Sequence, residues 1–374
     1  MECIFLCCSD TRMLLPGRAS LALGDHHSMI LDEDGSVWST AITFGSLMSG
    51  ESVYFTQVIP RGTVAIAAGN DFSMAVEQDG SLWTMGHNRK GQLGDGTRRH
   101  KTLFCFVPVI SDAKDVAGGS AHSMVLTREG RVWTTGWNKY GQLGDGLTSD
   151  SMLFRPVISD MAVAVAAGVS HSIVLKQDGS VWATGRNLYG QLGDGSNSDK
   201  QKFFKVISID AVKVAAGGYH SMLVKRDGSV WATGLNEHGQ LGDGSATDRT
   251  SYIQVVPSGA KAIAAASRHS MMLKRDGSVW ATGYNKYGQL GDGWTSNGYY
   301  FIQVITDGAT AIGAAIWHSM VLKEDGSIWA AGSNKYGQFG DGSRMSRRIF
   351  AELPSWRNGT SKTACTSKSN PEIA

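Results

Sequence analysis

Six histidines, each followed by serine, recur along the chain: His27, His122, His171, His220, His269 and His318. Imidazole ligates metals and exchanges protons near neutral pH, so six copies raise a metal or general-base reading. Their placement argues against both. Each opens a separate β-prone run, too scattered to converge on one ion, and Phe72 fills the matching place in a seventh run. A structural role is expected, with the rings hydrogen-bonded to backbone near the glycine-rich loops.

The other chemical candidates weaken in the same way. The Asp32–Gly35 segment and the repeated Gly-Asp-Gly suggest calcium, but the twelve-residue loop and its closing glutamate are absent. Gly-Gln-Leu-Gly-Asp-Gly resembles a phosphate loop, yet it lacks the lysine and the following helix, and it recurs six times when the conservative Phe339 form is included. Its glycines are expected to supply turns with positive φ. The five cysteines, Cys3, Cys7, Cys8, Cys105 and Cys365, fit no zinc spacing and no disulfide framework, which favours a reduced, intracellular setting, cytoplasmic or nuclear. No nucleophile–base pair, metal cluster or cofactor motif emerges, so the expectation is a protein that is not an enzyme and holds no metal or cofactor.

The elements that carry these residues form a repeat. Trp38, Trp83, Trp133, Trp182, Trp231, Trp280 and Trp329 mark seven units, and from Trp133 onward the interval is 49 residues each time. Such regular self-similarity defines a repeat architecture before any other reading. Each unit holds four short β-prone runs parted by glycine or Asp-Gly turns, as in His171-Ser-Ile-Val-Leu175, Asp178-Gly179 and Val181-Trp182. The expected fold is all-β: a seven-bladed β-propeller of four-stranded antiparallel blades. Small inner runs such as Val165-Ala-Ala-Gly168 suit strands crowded at the axis, and the tryptophans should fill the wedges between blades.

Each unit reads with the outer run first (Phe154–Ile158) and the inner run next (Ala162–Gly168). In that phase the last outer run, Ile349–Leu353, has no unit of its own and should pair with the N-terminal unit near Ser20, closing the ring. Residues 1–17 read as a disordered extension, 18–354 as the propeller and 355–374 as a disordered tail. The first unit's loop is irregular, with Ala41 and Thr43 in place of glycine and asparagine.

With these motifs laid out, the chain resembles the regulator of chromosome condensation family. The carriers are His-Ser, Asp-Gly-Ser-Val-Trp-Ala-Thr-Gly and Asn-x-x-Gly-Gln-Leu-Gly-Asp-Gly, over about residues 18–354. The resemblance implies a seven-bladed propeller, in agreement with the strand count. It also implies a range of functions: nucleotide exchange on a small nuclear GTPase with chromatin binding, UV-B sensing, β-lactamase inhibition, or partner binding beside ubiquitin-ligase domains. The constant interval leaves no room for the wedge that the exchange factor uses. The photoreceptor's Gly-Trp-Arg-His-Thr motif is missing too, since Asp25, Asn70, Ser120, Val169, Gly218, Ser267 and Ile316 stand where its tryptophan would.

Fold does not decide function, so the positions that vary on the constant frame carry the information. Before each histidine position stand His26, Asp71, Ala121, Ser170, Tyr219, Arg268 and Trp317; after the loop glycine stand His87, Trp137, Arg186, Leu235, Tyr284 and Ser333. Both sets belong to one end of the blades. Among them Trp137, Tyr284, Trp317, Arg186, Tyr219, Arg268 and His87 are the residue types that protein interfaces favour. Tyr140, Tyr189, Tyr287 and Tyr336 either join that surface or pack on the neighbouring blade. Arg98, Arg99, Lys101, Arg344, Arg347 and Arg348 suggest a basic rim, or a merely solvated one. The expected function is a monomeric interaction scaffold that binds a protein partner, a small GTPase or an acidic protein surface, through this loop face; the alternative is a guanine nucleotide exchange factor. A net charge of +2 gives no general drive toward nucleic acid, and no run is long enough for a membrane span.

Overall fold

The computed structural model describes residues 19–40 and 53–354, which form seven four-stranded antiparallel sheets arranged as a β-propeller. Among the described residues there is no helix. Blade one holds Ser20–Leu23, Ser28–Leu31, Val37–Ser39 and Thr56–Ile59. Blade four shows the full form: Ala162–Ala167, His171–Lys176, Val181–Gly185 and Lys200–Ile207, each hydrogen-bonded to the next. The terminal segments and the irregular first loop, Ala41 and Thr43 included, lie outside the described residues.

The phase of the repeat differs from the sequence expectation. Each blade starts at its inner strand and ends at its outer one, so Ser151–Ile158 belongs with Trp133, through pairs such as Trp133↔Pro156, and not with Trp182. The expected ring closure changes with it. The last strand, Arg347–Glu352, pairs with Ile328–Gly332 of its own blade, through Trp329↔Glu352 and Ala330↔Ala351. It does not join the N-terminal unit, because blade one already has its own fourth strand in Thr56–Ile59. Closure is instead a packing joint like the other six. Ser20–Leu23 lies against Ala309–Ala314, and Gly313 leaves just enough room for the Leu23 side chain.

The histidines make these joints. Nε2 of His171 lies 2.9 Å from Oγ of Ser221 in the next blade, and the same bridge joins His122 to Ser172, His220 to Ser270, His269 to Ser319 and His27 to Ser73. His318 reaches Ser28 at 2.9 Å and so bridges blade seven to blade one. The structural role holds, but the partner is a neighbouring hydroxyl and not the backbone. Ser221 donates its single proton to the carbonyl of Gln191, 2.6 Å away, so it can only accept from the histidine; Nε2 therefore carries the hydrogen. At the joint between blades two and three Phe72 replaces the imidazole and is fully buried.

The long loop laps onto the following blade in the same register. Thr233 Oγ1 donates to the Gly190 carbonyl at 2.9 Å, repeating Thr184 to Gly141. Gly190 (φ 78°) lies where a Cβ would meet the Thr250 backbone at 2.5 Å, and Gly193 where one would meet the Tyr252 ring at 2.5 Å. These glycines thus supply the expected positive φ and also the close approach between blades. Each tryptophan packs on the cluster between its own blade and the preceding one, as Trp83 does between blades one and two. Its indole stays half-buried: in blade five Nε1 donates to Ser229 and the Lys225 amine caps the ring at 3.9 Å.

Burial holds the six histidines neutral, with pKa values lowered to about 4 for His27 and His122 and about 3 for the other four. The unfolded chain takes up protons near pH 6.5 while the folded chain does not. The contribution of these histidines to stability is therefore fully present above that pH and is lost as pH falls. With all six responding, the slope approaches about 8 kcal/mol per pH unit. Unfolding followed from pH 7 to pH 4 should show this steep loss, and His171→Phe should reduce the proton uptake by about one; a flat profile would refute the neutral assignment.

Candidate binding face

One end of the propeller collects the turn before each histidine and the long loops of blades two to seven. The loops are built alike. In blade four Asn187 Nδ2 donates to Asp194 at 2.9 Å, Leu192 N donates back to Asn187 Oδ1, and Tyr189 N donates to Gln191 Oε1. These bonds tie the loop to itself, so the intervening positions project from a fixed frame.

Two groups of projecting residues result. On blades three to five, Trp137 meets the Tyr140 ring edge-on at 5.5 Å, and the Arg186 guanidinium lies 4.8 Å from the Tyr140 ring and 5.7 Å from that of Tyr219. Tyr189 closes this group against Tyr219 at 5.5 Å. On blades five to seven, Arg268 donates to His238 Nε2 at 3.0 Å, His238 stacks on Tyr284 at 4.8 Å, and Tyr287 joins Tyr284 to Trp317, 5.2 Å away. The loop tyrosines therefore do both things weighed for them. Tyr189, Tyr287 and Tyr336 each pack on the next blade, at Tyr219, Trp317 and His26, while remaining part of the face.

His87 lies apart from both groups. Its Nδ1 accepts from Gln92 Nε2 at 2.9 Å and its ring stacks on His100 at 4.6 Å. Leu235 and Ser333 are buried. His238 was not singled out from the sequence, although it links Arg268 to Tyr284; the available signal was its replacement of the tyrosine usual in Asn-x-Tyr-Gly.

The basic rim is smaller than its sequence suggests. Lys101 is paired with Asp95 at 3.2 Å and Arg347 with Asp341 at 2.6 Å, the same loop-closing pair that Arg249 makes with Asp243. Arg98, Arg99, Arg344 and Arg348 are exposed, with Arg98 donating to the Arg89 carbonyl.

Blade one contributes a charged cluster. His26 Nδ1 lies 3.2 Å from Asp71, which raises the histidine pKa and lowers that of Asp71. Asp25 lies at the mouth of the axial channel, a void of about 60 Å³, where burial pushes its pKa up to about 7.

The chain belongs to the regulator of chromosome condensation family. The family model of the RCC1-like domain matches residues 11–258, and that of the regulator of chromosome condensation (RCC1) repeat matches 260–289 and 310–338. A search of curated proteins finds no match. Among solved structures, human WBSCR16 is similar at 22% identity and a TM-score of 0.73, with 81% of this chain and 84% of that one covered. Yeast RCC1 (Prp20), crystallised bound to Kap60, is 17% identical with a TM-score of 0.76 over 85% of this chain and 81% of its own. Prp20p of Saccharomyces cerevisiae, described with its binding to Gsp1p and histones, is 18% identical with a TM-score of 0.70, covering 79% and 78%. At these identities the likeness is one of fold.

The Asp25 carboxylate yields a test. Its folded pKa exceeds the ordinary value of 3.8, so the folded state loses stability as pH rises through about 7. Asp25→Asn should raise the melting temperature more at pH 8 than at pH 5; an equal shift at both would show that the group is well solvated.

Proposed function

We propose that this chain is a non-enzymatic scaffold that captures a protein partner on its loop face. The observation that carries the reading is the pair of groups formed by Trp137, Tyr140, Arg186 and Tyr219 and by Arg268, Tyr284 and Trp317. Ring and guanidinium stacking fixes these side chains before a partner arrives, so association loses less side-chain entropy. Tryptophan, tyrosine and arginine are also the residues that dominate interface energetics. The six repeat histidines, by contrast, are fully buried and out of reach of any substrate. The polypeptides named with the yeast relative (Kap60, Gsp1p and histones) support a protein as the partner class.

Nucleotide exchange is the second reading, favoured by the Gsp1p binding of that relative. The loops of blades two to seven all span the same interval, as in Gly185 to Lys200 and Gly332 to Arg347, and none carries an inserted wedge. Affinity capture from the source cell, followed by nucleotide-release assays on any GTPase recovered, separates the two readings.

Trp137→Ala, Tyr284→Ala and Trp317→Ala should each weaken capture by about 30-fold, on the order of 2 kcal/mol, without changing the melting temperature. Capture by the triple variant at the original affinity would sink the loop-face reading.

A further inference from the structure

A second surface lies on the outer shoulder of blades six, seven and one, away from the loop-face groups. In blade one and in blades three to seven, one residue at or just before the outer strand bridges to the aspartate of the preceding blade's Gly-Asp-Gly loop. At successive joints these are Leu153, Lys202, Ser251, Tyr300, Ile349 and Tyr54, set opposite Asp95, Asp145, Asp194, Asp243, Asp292 and Asp341. The contact itself accepts any of these side-chain types, so the packing does not require aromatic or branched apolar residues. Four of the six joints nevertheless carry them: Leu153, 49% exposed, and at three consecutive joints the more exposed Tyr300 (65%), Ile349 (63%) and Tyr54 (58%).

The loops beside them add to the same arc. Trp294 is 71% exposed and follows Gly293, whose Cβ position lies 3.6 Å from Ile349. Its counterparts Ser196, Ser245 and Ser343 donate a hydroxyl to the loop aspartate. Trp294, like Leu147 in blade three, has no hydroxyl to donate and keeps the backbone bonds: its amide donates to Asp292 at 3.0 Å and its carbonyl accepts from Asn285 at 3.2 Å. The repeat thus gives up one hydrogen bond here and leaves an indole in water. Met345, in the next loop, is 76% exposed.

We propose that this arc docks an extended segment of a partner protein in which an aromatic or aliphatic side chain stands beside aspartate or glutamate. Charge and shape select that occupant. Of the charges beside the arc, Asp243 is paired with Arg249 and Asp341 with Arg347; Asp292 is half-buried in its loop, and the exposed Arg344 and Arg348 leave the balance positive. Guanidinium groups next to aromatic, methionine and isoleucine side chains match interface cores, and they pair with carboxylates in two-point geometry. The arc follows the curved perimeter over three joints. An extended chain can track that curve, whereas a flat lipid surface meets only one joint of it.

The test is selection of a random displayed peptide library on the folded protein, followed by titration of one synthetic enriched peptide. The proposal expects enriched sequences with an apolar residue beside Asp or Glu. Affinity should fall at least about tenfold in the double variant Trp294→Ser, Ile349→Ser and in Arg348→Glu, weaken with salt, and be unchanged in Trp137→Ala. Met345→Ser, a milder change at the most exposed position, keeps the test decisive should the double variant unfold. The proposal is overturned if no such sequence is enriched, or if the peptide binds the folded variants as tightly as the parent. It is equally overturned by Trp294-dependent flotation with phosphatidylserine vesicles, or by Trp294-dependent dimers in sedimentation, either of which assigns the arc to another occupant.

Discussion

The joint between blades rests on one buried relay: histidine Nε2–H to a serine hydroxyl, and that hydroxyl on to a glutamine carbonyl. His171, Ser221 and Gln191 show it at 2.9 and 2.6 Å. The three groups belong to two blades, so no blade satisfies them alone. A buried polar group left without its partner costs about 1–3 kcal/mol, which makes each blade depend on its neighbour for polar satisfaction as well as for apolar cover. Interaction terms between nearest neighbours of this kind are what stabilise repeat proteins. Closure through His318 and Ser28 gives the last joint the same histidine–serine contact as five of the others, and the ring needs no shared strand.

The relay also explains why the loop face is firm. Gln191 offers its carbonyl to the next blade's serine and its side-chain oxygen to the Tyr189 amide, while Asn187 ties the ends of its loop together. The side of the loop facing the next blade is therefore occupied by repeat chemistry. Only the outward positions are free to differ, and there Trp137, Arg186, Tyr284 and Trp317 are found. Rigidity and variability thus come from the same hydrogen bonds, which fix the backbone and leave the identity of the projecting residues free to vary.

Much of this was legible in the sequence, because the repeat samples each rule several times. Tryptophan spacing gave the blade count, Asp-Gly marked the hairpins, and the alanine-rich runs marked the axis. The phase of the repeat was not legible. In a closed ring an outer run can be assigned to the unit before or after it with equal local merit, and only the pairing Trp133↔Pro156 decides. The wrong closure followed directly from that ambiguity. The histidine partner was hidden for a related reason: Ser221 lies far along the chain from His171 and becomes its neighbour only through the blade-to-blade register. The stacking of Arg186 between Tyr140 and Tyr219 crosses two joints and is equally absent from any single unit.

Departures from the repeat differ in kind, and physical chemistry separates them. Phe72 removes an imidazole but fills its place with buried apolar surface, so the change is absorbed within the joint. His100 takes over a capping role, accepting from the Asn88 amide as Asp199 does from that of Asn187. Trp294 is not absorbed: the loop loses a serine–aspartate bond and the indole gains no cover. A substitution that satisfies its surroundings needs only a structural explanation. One that leaves a large apolar ring in solvent calls for a counterpart outside the blade, and Trp294, the most exposed of the rings, stands with Tyr300, Ile349 and Tyr54 on one arc.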